Sequence, residues 1–404
     1  METRSGPHTQ GERYDLIDAL RGFALLGVCL ANLSPLSLYE FLGPEEQAAL
    51  PTSGFDVIAR HVVEELVSIK FITIFSLLFG LGFAVQLERA QARGHGMVPG
   101  YVRRLLVLLG IGAIHAWFVW WGDILFTYAV VGLLMLPLRH ASNRLLLAGG
   151  LVVAMLPPLI APAVRPLLPD LASQAQMYGR ALEVFSGGSW ARAVEFNMQM
   201  SGWARLSNWA LVCFVLGRFL LGYWAGRAGL LQEPGRHLPL LRRILLGALL
   251  AWIAATTLAQ VQAPMRAAWP PIDIEPVRVA IRMLVRIGPL ALGIAYAIGF
   301  ALLYRRPAWE RRLRWLVPLG RMALTNYLAQ SLLGIALFYG CGVNLGPRYG
   351  MAGILAACVL VLTLQVGWSR WWLHRFQYGP VEWLWRWATY GERPPMRRRT
   401  SFSH

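Results

Sequence analysis

The sequence is short of acid and nearly devoid of lysine. It has 21 acidic residues against 38 basic ones, and Lys70 is its single lysine, so almost all of the positive charge is arginine. Charged residues of both signs make up only 15% of the chain, well under the roughly 25% of a soluble globular protein, while hydrophobic residues make up 56%. That balance excludes a soluble enzyme and a disordered chain. The four cysteines (Cys29, Cys213, Cys341, Cys358) show no CxxC or other ligand spacing, which excludes a disulfide scaffold and leaves metal binding without a motif. Three of them lie in apolar runs, where packing is the default role. No internal repeat stands out. No cleavable signal peptide or lipidation motif is expected, because residues 1–15 are polar and the first apolar run is long enough to span.

What the sequence does have is long apolar runs. A helix needs about 20 apolar residues to cross a bilayer core. Ten segments qualify: 16–34, 62–87, 102–121, 123–139, 143–161, 207–227, 241–262, 278–304, 314–339 and 350–372. The third and fourth are joined only by Trp121 and Gly122, a tight hairpin. The net charge of +17 could suit nucleic acid, but the arginines gather at the ends of the apolar runs, as membrane topology requires. With the N-terminus inside, 23 arginines fall in inside segments and 8 in outside ones. The predicted fold class is therefore all-α: a polytopic membrane bundle of ten helices with both termini cytoplasmic and no nucleic-acid partner.

The predicted organisation is a cytoplasmic segment 1–15, a five-helix region 16–161, an extracytoplasmic loop 162–206, a second five-helix region 207–372 and a cytoplasmic Trp/Arg-rich tail 373–404. Within the loop, Leu171, Ala175, Tyr178, Leu182 and Phe185 recur at helical spacing up to Gly187-Gly188. They predict an amphipathic helix, either a lid or a packing element. Residues 380–390 predict an interfacial helix with Trp383 and Trp387 one turn apart. The Arg397-Arg398-Arg399 run suits anionic lipid headgroups.

Charged groups at membrane depth cost on the order of 2.5–3.5 kcal/mol each and need a reason. Seven basic residues lie there: Arg21, Lys70, Arg218, Arg282, Arg286, Arg321 and Arg370. They outnumber acids, which favours an anionic ligand over a cation. A rise of about 1.5 Å per residue sorts the polar groups by depth. An outer layer holds Asn32, Lys70, His115, Asp123, Arg282 and Arg286. An inner layer holds Asp18, Arg21, Arg218 and Arg321, with Asn326 near the middle. Asp18 and Arg21 share a helix face and can pair, either as a structural bridge or as part of a site. Arg282 and Arg286 also share a face, so a common anion or acid is expected between them, unless both snorkel to headgroups. His115 is the one histidine at span depth and can act as a base at neutral pH. Asp123 could fix its tautomer if the hairpin brings the two level.

Several stretches carry a family resemblance. They are LIDALRGFALLGVCLANL in the first span, KFITIFSLLFGLGFA in the second and RRLLVLLGIGAIHAWFVWWGDILFTYAVVGLL in the third and fourth. GRMALTNYLAQSLL and GPVEWLWRWATYG follow in the C-terminal third. Together they closely resemble the YeiB-like family of bacterial inner-membrane proteins over nearly the whole chain. The order of an Arg-Gly first span ending in Asn, a Phe-rich second span and an Arg-Arg-led third span is also similar to the transmembrane acyltransferases. That resemblance implies a bundle of about ten helices that passes an acyl group from cytoplasmic acyl-CoA to an acceptor on the far side. It maps a family asparagine onto Asn32. It would put a catalytic histidine near His61, which lacks the flanking motif.

The leading expectation is a membrane-embedded acyltransferase-like protein. Arg21, Arg218 and Arg321 would hold the phosphates of acyl-CoA, with Asp18, Arg282, Arg286 and Asn326 as further substrate contacts. His115, oriented by Asp123, would be the base. Lys70 or Asn32 would stabilise the oxyanion. The alternatives are a transporter for a small organic anion and a non-catalytic membrane scaffold. No metal or covalently bound cofactor is expected; membrane lipids and an anionic small molecule are the expected partners.

Overall fold

The computed structural model describes residues 10–92 and 97–397. Arg4, Arg93, Arg398 and Arg399 of the topology argument lie outside them. Among the described residues the chain is all-helical, with one isolated bridge between Phe376 and Arg397 and no strand.

In chain order the α-helices are α1 (Gln10–Leu36), α2 (Pro44–Ala48), α3 (Ser53–Leu66), α4 (Lys70–Ala92), α5 (Met97–Ile114), α6 (Leu125–Leu134), α7 (Asn143–Met155), α8 (Pro157–Val164), α9 (Gln174–Ser186) and α10 (Trp190–Ser207). They continue with α11 (Leu211–Arg227), α12 (Leu238–Ala268), α13 (Glu275–Val285), α14 (Ile287–Tyr304), α15 (Pro307–Leu313), α16 (Leu316–Arg321), α17 (Ala323–Phe338), α18 (Gly350–Arg375) and α19 (Pro380–Tyr390).

Among the described residues, six stretches are long and apolar enough to cross a membrane: Asp15–Leu36, Ser53–Arg89, Val98–Val119, Leu238–Ala268, Glu275–Tyr304 and Gly350–Arg375. The number rises to eight if two bent pairs each count once. One pair is α7 with Pro157–Leu167, bent by 56° where Pro157 and Pro158 interrupt the amide ladder; the other is α10 with α11, bent by 68°. The shorter apolar helices α6 and α17 occupy the fourth and ninth expected spans. Two expected spans contain breaks that the apolar pattern hides. Ile69 takes a left-handed turn (φ 70°) between α3 and α4, and Met322 leaves helical geometry (φ −111°, ψ 31°) between α16 and α17.

Small residues set the closest helix pairs, because only they let backbones touch. A Cβ on Gly80 of α4 would stand 2.1 Å from the Phe219 carbonyl oxygen of α11, and one on Gly222 would stand 2.0 Å from that of Leu77. α1 meets α16 in the same way, through Gly22 against Leu316 and Gly320 against Asp18. Between these pairs, Leu20, Ala24 and Leu25 of α1 are fully buried.

The loop 162–206 holds two helices where the periodicity predicts one. α9 is the expected amphipathic helix, capped by Ser173 and stopped at Gly187, and it buries Met177, Ala181 and Phe185 against Phe41 and Tyr339. α10 is the addition. It buries Asn197, Met200 and Ser201 against the α5–α6 hairpin. α19 starts at Pro380, stops at a left-handed Gly391 (φ 77°), and docks on α5 and α17.

Candidate active site

The elements α1, α4, α5, α6, α16, α17 and α19 enclose a cavity of about 340 Å³. Its character changes along its length. One mouth is lined by Arg21, Arg104, Arg321 and Arg386. The middle is apolar, with Val28, Ile72, Phe75, Leu78, Phe79, Leu108 and Leu125. The far end is closed by Asn32, Gly122, Ile124 and Tyr327. Arg21 and Asn32 are eleven residues apart on α1, so the cavity runs roughly 16 Å along it.

The basic mouth is held open by its own packing. Arg21 pairs with Asp18 at 2.9 Å. Arg104 lies 3.9 Å over the Trp385 ring, while the Trp385 indole N–H donates to the Arg104 carbonyl at 2.9 Å. Arg386 covers the Tyr378 ring at 4.6 Å. Arg104, Arg321 and Arg386 have no carboxylate within ion-pair distance among the described residues. The one acid in the lining, Glu382, is already engaged: it accepts from the Thr325 amide at 2.9 Å and from the Thr325 hydroxyl. Burial pushes its carboxyl above the usual glutamate range, against the pull of those bonds. Guanidinium groups that outnumber their acids make a ready receptor for phosphate or carboxylate.

At the far end the hairpin builds a histidine–aspartate dyad. The last turn before it, His115–Val119, is a π-helix, and Trp120 then runs extended. That local unwinding removes the depth difference that a regular helix would leave. Nδ1 of His115 lies 2.8 Å from Oδ2 of Asp123, and both side chains are buried. Oδ1 of Asp123 accepts the Phe126 amide at 2.8 Å at the start of α6, and Arg205 of α10 stands 3.8 Å away. Nε2 of His115 is buried and has no hydrogen-bond partner among the described residues. Its ring packs at 5.3 Å against Tyr327, which lines the cavity. Asn197 braces the π-turn, donating to the Ala116 and Trp117 carbonyls and accepting from the Trp121 amide. π-Turns of this kind gather at functional sites.

The other residues singled out from sequence separate. Arg21, Arg321 and Asn32 line the cavity; His115 and Asp123 stand behind its far end. Arg218 is elsewhere. It is buried between α11 and α4, donating to the Thr73 hydroxyl at 2.8 Å and to the Phe214 carbonyl at 3.0 Å. Thr73 opens α4, so Arg218 belongs with Lys70 and not with the basic mouth. Lys70 donates to the Glu64 carbonyl at 2.6 Å and does not line the cavity. Asn326 joins a buried network with Ser369 and Gln365 that ties α17 to α18. Arg282 pairs with Glu275 at 2.6 Å, but Arg286 does not share that acid, and the two arginines line a second cavity. Arg104, Arg386, Glu382, Tyr327, Asn197 and Arg205 escaped the sequence reading. Among the described residues no group of His, Cys, Asp and Glu is placed to hold a metal.

A family model described as a protein of unknown function, DUF418, matches residues 225–392. That stretch holds Arg321, Tyr327, Glu382 and Arg386, but not the dyad. The chain is 33% identical over 415 residues to the uncharacterized protein YxaH of Bacillus subtilis (strain 168), covering 98% of each. It is 31% identical to the uncharacterized protein YeiB of Escherichia coli (strain K12), over 96% of this chain and all of that one. It is 28% identical to an uncharacterized 39.9 kDa protein of Bacillus acidopullulyticus, over 96% and 97%. No solved structure matches.

Proposed function

This chain belongs to the YeiB-like family, and we propose for it a membrane-embedded acyl transfer that uses the cavity from both ends. The observation that carries the reading is one cavity that joins a mouth of four arginines, three of them without an ion-pair acid among the described residues, to the neighbours of a buried His–Asp dyad through apolar walls.

In this reading the chain crosses the bacterial inner membrane ten times. The two bent pairs and the two short helices each count as a span, and both termini are cytoplasmic. The 23-to-8 arginine bias supports that orientation. The basic mouth then faces the cytoplasm, where acyl-CoA is found. Arg21, Arg104, Arg321 and Arg386 take its phosphates, and the thioester arm lies along the Phe75 and Phe79 wall. An acceptor hydroxyl or amine reaches the far end. His115 Nε2 removes its proton as the acceptor attacks the thioester carbonyl; the carbon–sulfur bond breaks, and the proton passes to the departing thiolate. Ester or amide and free CoA are the products. Asp123 holds Nδ1–H and supports the imidazolium. In this reading the Asn32 amide, at the far end of the cavity, donates to the oxyanion.

Calorimetry of CoA on the purified full-length protein tests the reading. Wild type should bind CoA saturably, and Arg321→Gln together with Arg386→Gln should weaken binding at least tenfold. Absence of saturable binding to wild type would remove the acyl-CoA assignment. One observation favours transport of a small organic anion instead: the cavity is flanked by a broken helix, α16–α17, as substrate sites in transporters often are. Counterflow of a labelled anion in liposomes, with no CoA binding, would support that alternative.

A further inference from the structure

A second cavity, of about 690 Å³, opens between α8, the start of α11, the last turns of α12, and α13. Its walls mix apolar groups, Pro158, Pro162 and Trp209 among them, with Arg165, Arg282 and Arg286. The charge here is unbalanced. Glu275 is held twice, by Arg282 at 2.6 Å and by Arg278 at 3.0 Å. Asp273 is likewise shared between Arg266 and Arg278. Arg165 and Arg286 have no carboxylate within ion-pair distance among the described residues. The one carboxylate in the lining, Glu275, is thus already taken, and two guanidinium groups, Arg165 and Arg286, face the cavity without an ion-pair acid.

The flank beside this cavity is apolar and turned away from the protein. Only 11% of the most apolar window of α12 is buried. Leu246, Leu250, Ile253 and Val261 of that helix are all exposed, and Val261 immediately precedes Gln262 of the cavity lining. An acyl chain lying along that stripe would bring its headgroup to the cavity. The stripe asks for hydrocarbon and the arginines for a phosphate, and a small free anion does not supply both.

We propose that Arg165 and Arg286 bind the headgroup phosphate of a phospholipid whose acyl chain lies along α12. Guanidinium groups match phosphate oxygens in a forked, charge-assisted geometry. Arg282, tethered by Glu275, adds charge at the rim without being free to leave. The proposal is independent of the acyl-transfer reading, because none of these residues lines the first cavity.

The test uses the full-length protein in a neutral detergent with dioctanoyl phosphatidylglycerol as the probe. Thermal denaturation should show a saturable rise in melting temperature with this lipid. Dioctanoylglycerol, which lacks the phosphate, and inorganic phosphate, which lacks the chains, should give no comparable rise. Arg165→Gln with Arg286→Gln should raise the half-saturating lipid concentration at least tenfold, and the paired lysine variant should recover part of the affinity. Arg386→Gln, at the other cavity, should leave it unchanged. If the glutamine pair does not fold, Arg165→Gln alone serves, since Arg165 is exposed. A response that survives these substitutions, or one that inorganic phosphate reproduces, overturns the lipid site.

Discussion

Asp123 spends its two oxygens on different tasks: Oδ2 holds Nδ1 of His115 at 2.8 Å, while Oδ1 accepts the Phe126 amide that starts α6. The same carboxylate thus orients the imidazole and anchors the helix beyond it. Asp123→Asn puts an amide where only an acceptor fits both partners. Under the acyl-transfer reading, turnover should fall on the order of 10²–10⁴-fold, the usual worth of a general base, with CoA affinity unchanged. Stability should drop by about 1–3 kcal/mol for the buried bonds lost. Turnover assays and calorimetry on one preparation check both; full turnover in the variant would remove the dyad from the chemistry.

Gly320 sits against α1 so tightly that a methyl group there would lie 1.8 Å from the Asp18 carbonyl oxygen. Gly320→Ala should therefore cost about 1–3 kcal/mol, the range for overpacking, and should displace Arg321 from the basic mouth. Gly82 lines the same cavity but has nothing within 4 Å of an added Cβ. Gly82→Ala should be neutral or stabilising by up to roughly 1 kcal/mol, as alanine is in a helix. Melting temperatures of the two variants separate contact from propensity.

Glu382 gives the dock of α19 a pH dependence. Burial raises its carboxyl above the usual glutamate range, so the folded protein holds this proton more tightly than the unfolded chain does. The associated stability is complete below the ordinary glutamate value and is lost as pH rises through the folded one. Protection of the 380–390 amides, relative to their intrinsic exchange at each pH, should fall from acidic toward neutral pH, and Glu382→Gln should flatten that trend. An equal slope in the variant would place the titration elsewhere.

Lys70 closes the end of α3. The amides of Val67 and Ser68 both point at the Val63 carbonyl, which leaves the Glu64 carbonyl to the Lys70 ammonium. A cation on the last carbonyls of a helix stabilises by about 1–2 kcal/mol when partly buried. Lys70→Met should lower stability by that amount while leaving CoA binding intact. A loss of activity at wild-type stability would instead return Lys70 to the oxyanion.

The helices are legible because each apolar run is long enough to dictate helix, and each of the ten expected segments is largely helical. The breaks at Ile69 and Met322 are not, since neither interrupts the apolar pattern. Depth along a helix brought out Arg21, Arg321, Asn32, His115 and Asp123. Depth does not say which way a side chain faces, which is why Arg218 was grouped with the basic mouth when it points at Thr73. Arg104, Arg386 and Trp385 stayed hidden for another reason. Basic and aromatic residues at span ends already have a sufficient explanation in membrane topology, and nothing in their spacing marks a floor folded back under the cavity. Arg205 and Asn197 lie in a segment whose second helix the periodicity did not signal.

The mutual insertion of Gly80 and Gly222 makes α4 and α11 behave mechanically as one beam. Neither helix can turn or slide by a residue without driving a side chain into the other's carbonyl row. The long wall that α4 contributes to the cavity, from Ile72 to Gln86, is therefore a fixed anvil. Any yielding that admits a ligand falls to the opposite side, where α17 and α19 are joined at Thr325, through its two bonds to Glu382 and the one it accepts from the Val381 amide.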